Sequence, residues 1–259
     1  MKKLGFSFLF RLDFSEPVQK HCFAMRCVPA NTAFQRVSAL RRKVMPDCPL
    51  SDGKDVFGLR LTGRVEEPHT AFSVQVDGVV DTGLADGEPA PPPWQLGPYR
   101  VPTPLTAPGE ALLSLDRLLP DTDDPRERSE AITELLRDRF TYRQGVTDTR
   151  CTAEQAAARQ QGVCQDETHI LLALLRMKRI PCRYAVGFIP GEGQTHAWAE
   201  IPLDGCWVGL DPTNHCPTDE GYILVSVGRD ANDCPVNRGV FFGSAQKTAA
   251  SSVCVWVIS

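Results

Sequence analysis

The chain has 259 residues, 42% hydrophobic and 23% charged, with a formal net charge of -4. At roughly 100–200 residues per domain, this length holds one large domain or two modest ones, and either can bury a core without disulfide or metal staples. The small acidic excess excludes the basic footprint of a protein that neutralises many phosphates, so no nucleic acid partner is expected.

The opening Met1-Lys2-Lys3 followed by Leu4 to Phe10 mimics a signal peptide. Arg11 and Asp13 cut the apolar run short and no A-x-A site follows, so the segment reads as a strand. Residues 1 to about 85 continue as short strands: Phe6, Phe8 and Phe10 alternate with small or polar partners, and Phe72, Val74 and Val76 repeat that period. Ser51-Asp52-Gly53 reads as turn material between them. From Asp81 to Pro108 eleven glycines and prolines, from Gly83 to Pro108, discourage ladders and helices alike, which marks a connector.

Helices follow. Asp124-Pro125 supplies an N-cap and a proline at the first helical position, and Ile132, Leu135, Leu136 and Phe140 recur on one face. Thr152-Ala153-Glu154-Gln155 has the capping-box form, with Gly162 placed to end that helix. Gln165 to Arg179 carries a broad apolar stripe, Ile170, Leu171, Leu174 and Leu175, which Pro181 stops. The period then becomes strand-like over 183–189, 196–201 and 206–211, with short joining turns that favour antiparallel neighbours. Tyr222 to Val227, Gly239 to Phe242 and Val253 to Ile258 add further strands. This order predicts an α+β fold, divided into a β-rich N-terminal domain over 1–110, with its connector at about 81–110, and a core over 111–259 that keeps the C-terminal strands. No run of about 18 apolar residues occurs, so no membrane span is expected.

The ten cysteines include no CxxC pair, which argues against structural zinc, and most lie in apolar stretches as packing residues. Reduced thiols in a cytoplasmic protein are the expectation. Cys164 differs from the other nine. It follows Gly162-Val163 at the start of a helix, where unpaired amides and the helix dipole stabilise a thiolate and a tetrahedral oxyanion. His196 begins a strand after the polar loop 190–194, and Asp211 lies at a similar distance beyond the turn at Asp204-Gly205. Antiparallel pairing can bring them side by side, so that the carboxylate selects the imidazole tautomer that faces sulfur. Gln165 can lend a side-chain amide to an oxyanion hole, although the Cys164 backbone amide is the simpler donor. Trp198 and Trp207 read first as core packing, with an acyl-binding groove as the alternative for one ring. His169, about 140° round the helix from Cys164, reads as packed or solvated rather than as a second base. His215 reads as a loop residue, and His21 and His69 carry no functional case.

Four segments, Gly162-Val163-Cys164-Gln165-Asp166, Ile180-Pro181-Cys182-Arg183-Tyr184, Thr195-His196-Ala197-Trp198-Ala199-Glu200 and Asp211-Pro212-Thr213-Asn214, resemble the transglutaminase-like superfamily. More closely, they are similar to the bacterial transglutaminase-like cysteine proteases, a similarity that extends to Phe14-Ser15-Glu16-Pro17-Val18 and Asp55-Val56-Phe57-Gly58 in the N-terminal region and to Gly228-Arg229-Asp230 with Arg238-Gly239-Val240 in the tail. The resemblance implies a papain-like core with Cys164 as nucleophile, His196 as base and acid, and Asp211 as orienter. Two positions depart from that pattern: Glu167-Thr168 stands where an aromatic and a small residue are common, and Arg179 where a glycine ends the nucleophile helix.

The expected activity is cysteine-dependent acyl transfer on an amide bond of a peptide, protein or small amide, through a thioester and with no cofactor. Hydrolysis is favoured over transglutaminase chemistry, because Asp121, Asp123 and Asp124 read as a helix cap and not as a calcium site. A catalytically silent binding module is the remaining alternative. Substrate identity and oligomeric state are open at this level.

Overall fold

The computed structural model describes residues 1–258. Strand β1 (Lys2–Met25) runs for 24 residues because its alternation survives the charges that interrupt it. Leu4, Phe6, Phe8, Phe10, Leu12 and Phe14 are all buried, whereas Arg11 and Asp13 share the opposite face and pair with each other at 2.7 Å. The strands β2 (Gln35–Met45), β3 (Leu50–Asp55), β4 (Gly58–Val65) and β5 (His69–Thr82) follow. Pairing of β1 with β5 breaks register between Asp13 and Val18, after which β1 pairs with β4, so the irregularity carries one strand from one half of the sheet to the other. Ser51-Asp52-Gly53 lies inside β3 rather than in a turn. That strand pairs only with β4, and Ser51 and Asp52 are exposed on this edge, where polar side chains carry no penalty.

The proline-rich segment is packed, not free. β6 (Glu88–Pro89) pairs with a later strand, Thr103, Leu105 and Thr106 are buried, and the Leu105 carbonyl accepts from the Ala153 amide at 2.8 Å. Helix α1 (Glu110–Asp116), absent from the sequence reading, is capped from a distance: the Glu154 carboxylate accepts from the amides of Gly109, Ala111 and Leu112 at 2.7–3.1 Å. In α2 (Pro125–Arg139) the Asp124 cap accepts from the Glu127 amide, as expected. After β7 (Thr141–Tyr142) comes α3 (Ala153–Arg159), which has both halves of its capping box. It is ended by Gln160 at φ 54°, not by Gly162, which falls in β8 (Gln161–Gly162). Helix α4 (Cys164–Met177) has Ile170 through Leu175 fully buried, and Arg179 itself adopts the left-handed φ of 54° where a glycine was missing.

Strands β9 (Arg183–Phe188), β10 (Gly191–Gly193), β11 (His196–Leu203), β12 (Cys206–Asp211), β13 (Cys216–Pro217), β14 (Ile223–Gly228), β15 (Asn237–Phe242) and β16 (Lys247–Val257) complete the chain. The strands β9, β11 and β12 are antiparallel neighbours, and α4 packs on them through Ala197, Ala199 and Ile201. The sheet is 14-stranded, with the central order β10-β16-β1-β4-β14-β9-β11-β12-β13. The last strand, expected beside the helical core, lies against β1 from Leu4↔Val257 to Phe14↔Lys247. The reason is that β1 needs a hydrogen-bonding partner on each edge: β5 supplies one and β16 the other. All ten cysteines are free, and no helix among the described residues is long and apolar enough to cross a membrane.

Arg176, unremarked in the sequence reading, clamps three segments. Buried to 2% exposure, its guanidinium donates to the Thr106 hydroxyl (2.8 Å) and to the carbonyls of Arg229 (2.6 Å), Cys182 (3.1 Å) and Tyr99 (3.4 Å). Only a planar fork meets so many acceptors at once. Arg176→Ala is expected to destabilise the fold by about 3 kcal/mol through stranded carbonyls and a cavity, with Arg176→Lys recovering part of it. Urea unfolding measures this, and a loss below about 1 kcal/mol would show that water replaces the clamp.

Candidate active site

Helix α4 and strands β1, β11 and β16 converge on one cavity. Helix α4 starts where it does because Asp166 folds back over its own first turn: Asp166 Oδ2 accepts from the Val163 amide (2.8 Å) and the Thr147 hydroxyl (2.7 Å). A side chain at 162 would put a Cβ 2.4 Å from that oxygen, hence Gly162. Cys164, half-buried, is thus the first helical residue, where the dipole is positive and the amides of Cys164 and Gln165 precede the first backbone bond of the helix, Asp166 N–H to the Val163 carbonyl at 2.9 Å. It lines a cavity of about 1010 Å³, walled on the far side by Phe10 and Leu12 of β1 and by Ala249 and Ser251 of β16.

His196 lines the same cavity from the start of β11. The register Ala199↔Leu210, continued by one pair, sets Asp211 opposite Trp198, so Asp211 reaches His196 diagonally along one face of the sheet. The contact is short: His196 Nε2 lies 2.6 Å from Asp211 Oδ2. With Nε2 committed there, Nδ1 is the nitrogen left for sulfur. Asp211 has no exposed surface, and it also accepts from the Tyr222 hydroxyl (2.7 Å), the Asn214 side-chain amide (2.7 Å), and the backbone amides of Thr213 (3.0 Å) and Asn214 (3.1 Å). Burial works against ionisation of Asp211, but His196, Tyr222 and Asn214 outweigh it and hold the carboxyl below its usual range. Burial likewise opposes a charged His196, yet Asp211 and the adjacent Cys164 together raise it to about 10.

Of the other residues picked out from the sequence, Gln165 lines the cavity, with its side-chain amide 3.4 Å from the Thr149 carbonyl. Trp198 does not line it. The indole is 2% exposed, donates to Glu200 at 3.2 Å and meets Tyr222 edge-on at 5.3 Å, because strand alternation turns it with His196 toward the Asp211 side, where Tyr222 covers it. Trp207 packs on Tyr99 and under the Arg183 guanidinium. His169 is fully buried away from the cavity and accepts from the Ala231 amide, and burial lowers it to about 3, so it stays neutral. His215 is exposed at φ 54°. His21 and His69 stack in the β1 core, 3.3 Å apart. Sequence reasoning missed Tyr222, whose position before a strand carries no chemical signal, and it noted Glu167 without a partner. Glu167 is buried beside the site, where Thr213 donates to it.

Residues 116–212 match the transglutaminase-like superfamily core, and residues 6–81 match the bacterial transglutaminase-like N-terminal region. An uncharacterized protein of Mycobacterium tuberculosis is 30% identical over 260 residues, covering 85% of this chain and 81% of its own. One from Mycobacterium leprae is 28% identical over 239 residues, covering 84% of this chain and 85% of its own. The crystal structure of a candidate cysteine protease from Cytophaga hutchinsonii superposes with a TM-score of 0.82 at 22% identity, covering 100% of this chain and 91% of that one, which is a likeness of fold.

The raised His196 has a stability consequence with a definite sign. An imidazole near 6.5 when unfolded and about 10 when folded adds stability that is complete below about pH 6.5 and is lost as pH rises toward 10. The wild-type protein is expected to lose on the order of 2–4 kcal/mol across that window, and Asp211→Asn to flatten the slope. Urea midpoints at pH 6, 8 and 10 check this. Parallel curves for the two proteins would refute it.

Proposed function

Because the chain belongs to the transglutaminase-like superfamily and carries the bacterial transglutaminase-like N-terminal region, we propose that it is a cysteine-dependent acyl-transfer enzyme acting on amide bonds, with hydrolysis as its main outcome. The observation that carries this reading is the 2.6 Å bond to a fully buried Asp211 from His196, which lines the same cavity that Cys164 enters from a helix N-terminus.

In this reading Cys164 Sγ, as thiolate, attacks the carbonyl carbon and forms the C–S bond while the C=O π pair moves to oxygen. First-turn amides at Cys164 and Gln165 receive that oxyanion. The oxygen pair returns, the C–N bond breaks, and the His196 imidazolium gives its proton to the departing amine through Nδ1. Neutral His196 then takes a proton from water as its oxygen attacks the thioester. Collapse releases the carboxylic product and restores the thiolate, with the proton back on His196. An amine can replace water at this stage. Hydrolysis is favoured because the cavity is large and lined with polar groups, and water enters it at far higher concentration than any amine.

The lining also suggests a substrate preference. Arg150, Arg238 and Lys247 border the cavity against a single carboxylate, Glu192, although the whole chain is net acidic. None of the three cations has a carboxylate ion-pair partner among the described residues. A cleft lined by one sign of charge concentrates ligands of the other, so acyl donors bearing carboxylates are the first class to test.

Incubation with activated peptide esters is expected to add an acyl mass to the wild-type protein and none to Cys164→Ala, which should remain folded. Acylation of Cys164→Ala at the wild-type level would remove Cys164 from the role of nucleophile. Asp211→Asn should lower turnover by roughly 10⁴-fold through the wrong imidazole tautomer. Among amide substrates, Asp- or Glu-containing peptides should exceed their Asn or Gln counterparts about tenfold in kcat/KM at low salt, an advantage that shrinks as salt is added. No preference at low salt would discount the cationic rim.

A further inference from the structure

Glu167 lies three positions after Cys164 in the first turn of α4, and it is only 3% exposed. Burying an ionisable group in a helix whose later positions are apolar is costly unless it is held by partners. Its partner is Thr213, whose hydroxyl donates to Glu167 Oε2 while its backbone amide donates to Asp211 Oδ1 at 3.0 Å. One residue therefore bridges two carboxylates, one on the helix that presents Cys164 and one bonded to His196 at 2.6 Å. The contacts run from α4 through Glu167, Thr213 and Asp211 to His196, tying the turn after β12 to the helix opposite.

We infer that Glu167 is a positioning residue: through Thr213 it fixes the Asp211 turn against the nucleophile helix, and its charge supports the imidazolium of His196. The inference rests on the reading that Cys164 and His196 are the reacting pair. The titratable groups facing Glu167 are Asp166 on its own helix, Asp211 at the end of β12, His196 on β11 and Tyr142 on β7. Burial above all, with repulsion from Asp211 and Asp166 and against the pull of Thr213 and His196, lifts its carboxyl to about 7. The anion accepts from Thr213 more strongly than the neutral acid does. Coupling is mutual, so a carboxylate that His196 helps to ionise in turn helps to keep His196 protonated.

Three variants separate the parts. Glu167→Gln keeps an acceptor oxygen for Thr213 and removes the charge, Thr213→Val removes the donor and keeps the charge, and Thr213→Ser restores the donor. Two readouts need no substrate: the pH dependence of Cys164 alkylation by iodoacetamide, and the NMR titration of the His196 ring. The wild type is expected to show an inflection in alkylation near neutral pH. In Glu167→Gln that inflection should vanish and the His196 midpoint should fall by roughly one unit. Thr213→Val should move the inflection to higher pH, because a buried carboxylate has lost its donor, and Thr213→Ser should return it. Retention of the wild-type inflection and His196 midpoint by Glu167→Gln would overturn the inference even if Thr213→Val failed to fold. The reading beneath it fails differently: wild-type Cys164 alkylating no faster at about pH 6 than a free thiol would overturn the reacting pair and this inference together.

Discussion

A carboxylate with no exposed surface is the constraint on which the rest of the site depends. Removing Asp211 from water costs several kcal/mol, and each charge-assisted hydrogen bond returns about 1.5–3 kcal/mol, so the anion is tolerable only with nearly all its donors in place. Those donors come from His196 on β11, Tyr222 just before β14, and Thr213 and Asn214 in the turn that Asp211 begins. The Asp-Pro-Thr-Asn turn is therefore a cradle whose backbone closes on its own first side chain. His196 is oriented as a by-product of this requirement: its Nε2 satisfies the carboxylate, which leaves Nδ1 as the nitrogen free to serve sulfur.

The opposite side of the cavity depends on strand length. β1 supplies Phe10 and Leu12 to the wall and β16 supplies Ala249, Ser251 and Lys247, yet these strands are separated by most of the chain. Their pairing over eleven residues places the first and last segments of the sequence side by side, facing Cys164. The cavity is thus closed by the N-terminal strands as much as by the helix and strands that carry the titratable groups. Arg176 performs the equivalent task behind the helix, holding the connector and the segment after β14 against α4.

Local features were legible in the sequence because local physics determines them. The Asp124 and Thr152 caps, the apolar stripe of α4 and the buried phenylalanines of β1 each depend on residues within a few positions of one another. The meeting of Cys164, His196 and Asp211 was anticipated from the helix start and the hairpin, together with the family resemblance. What escaped detection depends on distant partners. The cap of α1 is a glutamate more than forty residues away, β16 finds β1 across the whole chain, and Arg176 reads as an ordinary helix charge until its four acceptors are seen. Trp198 packs in the core, the first of its two readings; the groove alternative fails because strand alternation gives its side but not what covers that side, and Tyr222 covers it. Gly162 was read as a helix stop, but its purpose is room for Asp166.

Charge balance around the turn gives the site its pH behaviour. Asp211 lies below the usual carboxylate range and His196 at about 10, so neither changes state near neutrality. The group that does is Glu167, lifted to about 7 chiefly by burial, with repulsion from Asp211 and Asp166 adding to it. An aromatic residue at that position, as the family resemblance led one to expect, would leave Thr213 without a charged acceptor and the site with one anion fewer. The substitution of a carboxylate for a ring therefore adds a titration near neutral pH at a glutamate that meets the Asp211 turn only through Thr213.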